Sequence, residues 1–164
     1  GGRALHGERP RWDGLLEALS NETSAAGVVA IGGPFDQLFC ERAGVSYYNA
    51  GGYADQVEHE ATIGIDGSWS LHPKQTAQAN RIHMPTPEEL DRDLTKIAAF
   101  NDAKREGTGA VVVEGQMVDE ATYKNFANTV LKVRAIDEVH ADQTTAFYDG
   151  ALLERALSID LVFN

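Results

Sequence analysis

The sequence predicts an α/β fold, and three features predict it. "GVVAIGGPF" at 27–35 is an apolar run closed by glycines and a proline, which reads as a strand buried on both faces, as in a parallel sheet. A helical stretch over about 53–63 and a second short strand at Ser68–Leu71 follow it, the spacing of a βα unit feeding a parallel neighbour. From residue 86 onward the apolar residues recur mainly at helical spacing.

Taken in order, Trp12, Leu15, Leu16 and Leu19 fall at i, i+3, i+4 and i+7 and predict an amphipathic helix over about 12–20. "SNETSAAG" then reads as a loop leading to the first strand. Gly51-Gly52 reads as a break before the helix at 53–63, Gly64 closes that helix, and Pro73 is expected to stop the second strand. "TPEEL" is the clearest local signal. Thr86 can cap a helix, Pro87 suits its first position, and Glu89 completes a capping box. Leu90, Leu94, Ile97 and Ala98 form the expected buried stripe, which Gly107 ends. "GAVVVEGQMVDEA" predicts a short strand, a turn at Glu114-Gly115, and Asp119 at the start of another helix. Tyr123, Phe126, Val130 and Val133 line that helix, and a final amphipathic piece over about 143–157 carries Phe147, Leu152 and Leu153.

With 164 residues, 43% hydrophobic and 24% charged, the chain is of one-domain size and has a globular balance. Its net charge of −11, from 25 acidic and 14 basic residues, argues against a nucleic-acid or anionic-membrane partner. Cys40 is the single cysteine, so neither an internal disulfide nor a zinc–thiolate site is expected. No apolar run reaches the ~20 residues of a membrane helix, and no secretory signal pattern is present, so a cytoplasmic location is expected. The missing initial methionine reads as a processed product, a trimmed chain or a fragment.

Chemistry-bearing patterns are sparse. His59, His72 and His83 match no metal-binding helix spacing and read as structural or surface residues. A dinucleotide fingerprint, a Walker A loop and a GxSxG elbow are all absent. Asp119 stands at a predicted helix start, where a carboxylate caps free amides and has its pKa lowered. A plain cap and a catalytic base both stay open on these grounds. A base there would need a closing partner to desolvate it.

"GGPF", "DGSWSLHPKQ", "TPEEL" and "GAVVVEGQMVDEA", in that order over about residues 28–135, resemble the C-terminal half of the citrate lyase β-subunit-like enzymes. These are the malyl-CoA, β-methylmalyl-CoA and citramalyl-CoA lyases of the HpcH/HpaI aldolase superfamily. The resemblance implies the last two βα units of a TIM (β/α)8 barrel over 1–83 and a mainly helical C-terminal lid over 84–164. A whole barrel needs more than about 200 residues, so a C-terminal part of a larger enzyme is expected.

The implied activity is reversible cleavage of a 3-hydroxyacyl-CoA into an acyl-CoA and a 2-oxoacid. Mg²⁺ is implied as cofactor, with its ligands and the substrate arginine outside this sequence. Asp119 matches the family aspartate that moves a proton at the α-carbon of the thioester, presented to a neighbouring subunit of a homo-oligomer. Gly33, Pro34, Phe35, Trp69, His72 and Pro73 match loops that would wall the coenzyme A and acyl pocket, with His72 ordering its loop. The family's usual Asp-Gly-Pro is Gly32-Gly33-Pro34 here, and "DQLFCERAGVSYYNAGGY" replaces an acidic stretch, so the acyl group used stays open. A malyl-CoA thioesterase and a non-catalytic CoA-binding subunit are the alternatives.

Overall fold

The computed structural model of the chain describes residues 10–162, with side chains from Asp13 onward. Residues 1–9 and the side chain of Trp12, predicted for the first helix face, lie outside the described residues. The chain forms two compact units, Gly1–His83 and Met84–Asn164.

In the first unit, α1 (Pro10–Ala26) runs through the stretch expected to be a loop. β1 (Ile31–Gly32) pairs in parallel with β4 (Gly67–Ser68), with Ile31 opposite Gly67 and Gly32 opposite Ser68. The crossover between them is α2 (Ala50–Ile63), so the predicted parallel βα arrangement is present. β1 is nevertheless much shorter than 27–35 and is not buried on both faces. Ala30 and Gly32 point inward, whereas Val29 is 73% and Ile31 62% exposed. Among the described residues β4 is its one paired neighbour.

Asp66 fixes this short ladder: its carboxylate accepts the Ala30 N–H at 2.8 Å, and its own N–H donates to the Ala30 carbonyl at 3.0 Å. Between β1 and α2 stands a hairpin not foreseen from sequence, β2 (Phe39–Arg42) and β3 (Val45–Tyr48). Ala43 and Gly44 both take positive φ at its turn, the geometry of a two-residue hairpin loop. Gly51 and Gly52 lie inside the first turn of α2, which Asn49 caps at the Gly52 N–H. Gly52 is required there, because a Cβ would stand 2.8 Å from the Phe35 ring. Pro73 does not end a strand but opens α3 (Pro73–His83), its lack of an N–H costing nothing at a helix start. Phe35, Tyr53, Val57 and Ala79 form the core of this unit.

The second unit begins with α4 (Pro87–Arg105), carrying the predicted Thr86–Glu89 capping box. Leu90, Leu94 and Ile97 are buried as expected; Ala98 is exposed, and Phe100 takes the next inward position. β5 (Ala110–Val113) and β6 (Gln116–Asp119) form a hairpin turning at Glu114-Gly115. The long α5 (Glu120–Phe147) kinks at His140, where the backbone leaves helical angles. Near that kink Thr144 hydrogen-bonds the Asp137 carboxylate and the Ala141 carbonyl. The expected single piece at 143–157 is divided: Asp149 starts α6 (Gly150–Ser158) after the extended Tyr148. Tyr123, Phe126, Val130 and Val133 of α5 pack with α4, Val118 and Leu153 in the core. Arg134 donates to the Ala156 and Ile159 carbonyls and so satisfies the end of α6.

Candidate active site

The residues expected to form a pocket wall all belong to the first unit, at the C-terminal ends of β1 and β4. Phe35 is buried against Tyr53, ring centroids 6.0 Å apart, so its side chain builds the core while its backbone follows the loop. Gln75 holds the two loops together. It is fully buried, its Nε2 donates to the Phe35 carbonyl at 3.1 Å, and its Oε1 accepts the Leu71 N–H at 2.7 Å. The loop carrying Gly33, Pro34 and Phe35 is thereby fixed against the loop carrying Trp69, His72 and Pro73.

Trp69 is 57% exposed, and its carbonyl accepts the Tyr53 hydroxyl at 3.4 Å. The Tyr53 hydroxyl is pushed up to about 12 by burial, with smaller contributions from the nearby charges of Glu60 and Tyr48. His72 stacks on Tyr48 at 5.3 Å, and its Nδ1 accepts the Lys74 N–H at 3.1 Å. Its carbonyl accepts the N–H groups of Gln75 and Thr76, so His72 together with Pro73 shapes the start of α3. Tyr48 is itself anchored to Gln78 at 2.7 Å, which ties the hairpin to α3.

Behind the strand ends lies a polar cluster that sequence reasoning missed. Glu60 of α2 is only 6% exposed. Its carboxylate accepts from Gln56 Nε2 at 2.9 Å, from Ser68 Oγ at 3.5 Å, and from the Gly33 N–H. Ser68 Oγ also lies 2.9 Å from His83 Nε2. Burial raises the pKa of Glu60, and the hydrogen bonds with the positive field of His59 offset part of that rise. Neither Glu60 nor Gln75 carried a signal beyond its place in the chain, because burial of a polar side chain is decided by tertiary packing.

Asp119 belongs to the second unit, at the end of β6, where it caps α5. Its Oδ1 accepts the Thr122 N–H at 2.9 Å, and Thr122 Oγ1 accepts the Asp119 N–H at 2.9 Å. The Thr122 N–H, then its hydroxyl, hold the carboxyl below the usual carboxylate range, so it is ionised at neutral pH. Val118, just before it, is fully buried and Asp119 half-buried, which fixes the backbone while leaving the carboxylate accessible. A shallow depression of about 370 Å³ between α4 and α6 holds none of the predicted site residues. Among the described residues no group of three or more His, Cys, Asp or Glu side chains comes together to hold a metal ion.

The architecture defines a mixed helix–strand chain with a helical C-terminal part. A scan against protein-family models finds no match. The L-malyl-CoA/β-methylmalyl-CoA lyase of Haloarcula marismortui is 80% identical over 164 residues, all of this chain and 47% of that protein. A (3S)-malyl-CoA thioesterase of Cereibacter sphaeroides is 34% identical over 85 residues, 52% of this chain and 30% of that protein. Among solved structures, CitE from Mycobacterium tuberculosis in complex with magnesium, acetoacetate and coenzyme A is similar with a TM-score of 0.59 at 21% identity. That likeness covers 80% of this chain and 46% of CitE, and it concerns the fold. The chain is thus similar along its whole length to part of a malyl-CoA/β-methylmalyl-CoA lyase, and shares its fold with part of CitE. It spans about half the length of the Haloarcula relative.

Proposed function

We propose that this chain carries the proton-transferring carboxylate and part of the thioester pocket of a malyl-CoA/β-methylmalyl-CoA lyase. The observation that carries the reading is the 80% identity to a lyase of that name along the whole chain. On this reading residues 1–83 are the last two βα units of a TIM barrel and 84–164 are its lid. The lid presents Asp119 to a neighbouring subunit of a homo-oligomer. The loops at Gly33–Phe35 and Trp69–Pro73 wall the coenzyme A and acyl pocket, as the strand ends of that fold do.

In the condensing direction Asp119 takes a proton from the α-carbon of the acyl-CoA, the resulting enolate adds to the carbonyl carbon of the 2-oxoacid, and the alkoxide so formed takes a proton from water to give the 3-hydroxyl. In cleavage the 3-hydroxyl releases its proton to water, its oxygen pair re-forms the carbonyl as the carbon–carbon bond breaks and that bond's electron pair becomes the enolate, and protonated Asp119 gives the proton back to the α-carbon. Its capping hydrogen bonds keep Asp119 ionised and weakly basic in water. A closing pocket that excludes water strengthens it as a base. Mg²⁺, bound by residues of the protein other than those described here, would stabilise negative charge on the oxoacid oxygen.

The lyase reading is favoured over the thioesterase because the thioesterase likeness is weaker and covers half of the chain. The test is cleavage of malyl-CoA and citramalyl-CoA by the full-length protein with Asp119→Ala alongside. Turnover that is lost in the variant supports the assignment, and unchanged turnover overturns it.

A further inference from the structure

The buried carboxylate of Glu60 lies where a residue-32 side chain would stand. A Cβ added to Gly32 would sit 1.9 Å from Glu60 Oε2 and 2.5 Å from its carboxyl carbon. No residue other than glycine fits at 32 while Glu60 keeps this position. The parallel ladder above the carboxylate has only two residue pairs, too few backbone bonds to hold the strand ends by themselves. Glu60 and Gln56 together grip Gly33, whose N–H reaches Glu60 and whose carbonyl accepts Gln56 Nε2 at 3.0 Å. On the β4 side the same carboxylate takes the Ser68 hydroxyl. Burying a carboxylate is costly, and here it satisfies donors from both strand ends at once.

We propose that Glu60 is a positioning residue for the thioester pocket: lodged in the space of a residue-32 side chain, its carboxylate joins the Gly33 and Ser68 ends of the two pocket loops. This rests on the reading of those loops as pocket walls. The carboxylate belongs to the site rather than to α2, so it can be carried by either backbone position. A carboxyl carbon lies about 1.5 Å beyond an aspartate Cβ. An aspartate at 32 therefore reaches the space Glu60 now fills.

The test is an exchange in the full-length protein, comparing Gly32→Asp, Glu60→Ala and the two combined by thermal melting and by malyl-CoA kinetics. Gly32→Asp alone is expected to lower the melting temperature or prevent folding, since two carboxylates meet in one space. Glu60→Ala alone is expected to melt lower and to raise KM about tenfold, with kcat within about threefold of native. Glu60→Gln, which retains one acceptor oxygen, falls between native and Glu60→Ala in KM. The combined variant is expected to melt above both single variants and to recover KM to within about threefold of native. A combined variant no better than the poorer single one overturns the exchange, and a KM unmoved by Glu60→Ala overturns the positioning role. Absence of malyl-CoA cleavage by the native protein overturns the lyase reading and the positioning role with it, whereas the melting temperatures decide the exchange alone.

Discussion

Asp119 carries two roles that substitution separates. Asparagine caps a helix as well as aspartate does, but cannot accept a proton at neutral pH. Asp119→Asn is therefore expected to melt like the native protein and to lose about 10²–10⁴-fold in kcat. Asp119→Ala should lose the same turnover and also melt at a lower temperature. A cap-only role would leave Asp119→Asn fully active. Because capping holds its pKa below the unfolded value, its stabilisation is present above the usual carboxylate range and is lost as pH falls through the lowered pKa.

Glu60 has the opposite sign. Its pKa is raised on folding, so its contribution is fully present below the ordinary glutamate value and is lost as pH rises through the raised value. Tyr53, Gln56 and His59 on α2 and Ser68 on β4 are its ionisable or polar neighbours, and Ser68 in turn lies against His83 of α3. Melting of Glu60→Gln against pH should lack the decline that the native protein shows in this window. Parallel curves for the two proteins would contradict a buried, ionising Glu60.

At the scale of elements, Gln75 is the bridge between the two strand-end loops. Gln75→Ala removes the side-chain bonds to the Phe35 carbonyl and the Leu71 N–H and is expected to cost about 1–3 kcal/mol. Chemical denaturation measures it, and a change below about 1 kcal/mol would show that water replaces the side chain. Sequence was informative where a signal is local. The capping box at Thr86, the helix cap at Asp119, the turn at Glu114-Gly115 and the stripe of α5 all depend on neighbours a few residues away. It misread signals with two local meanings: Pro73 can stop a strand or open a helix, and Gly51-Gly52 can break a chain or let Phe35 approach. The β2–β3 hairpin turns on Ala43-Gly44, which lacks the strong Asn-Gly signature. Asp93 and Lys96 are charged yet buried on α4, taken in by Thr129 and Gln116, and no periodicity reveals such partners.

At the scale of the molecule, the net charge of −11 repels itself. Added salt screens that repulsion over a Debye length of about 10 Å at 0.1 M, so the melting temperature should rise with ionic strength. A flat or falling response would place the acidic residues in stabilising ion pairs instead. Among the described residues no helix is long and apolar enough to cross a membrane. The two units divide the proposed work, with loop-bearing strand ends in the first and the capped carboxylate in the second. The most direct test of that proposal is identification of the products formed from malyl-CoA by the full-length native protein and by Asp119→Asn. Equimolar acetyl-CoA and glyoxylate from the native protein, reduced at least about 100-fold in the variant, is the expected result. Free CoA with malate, or undiminished acetyl-CoA and glyoxylate from the variant, would contradict it.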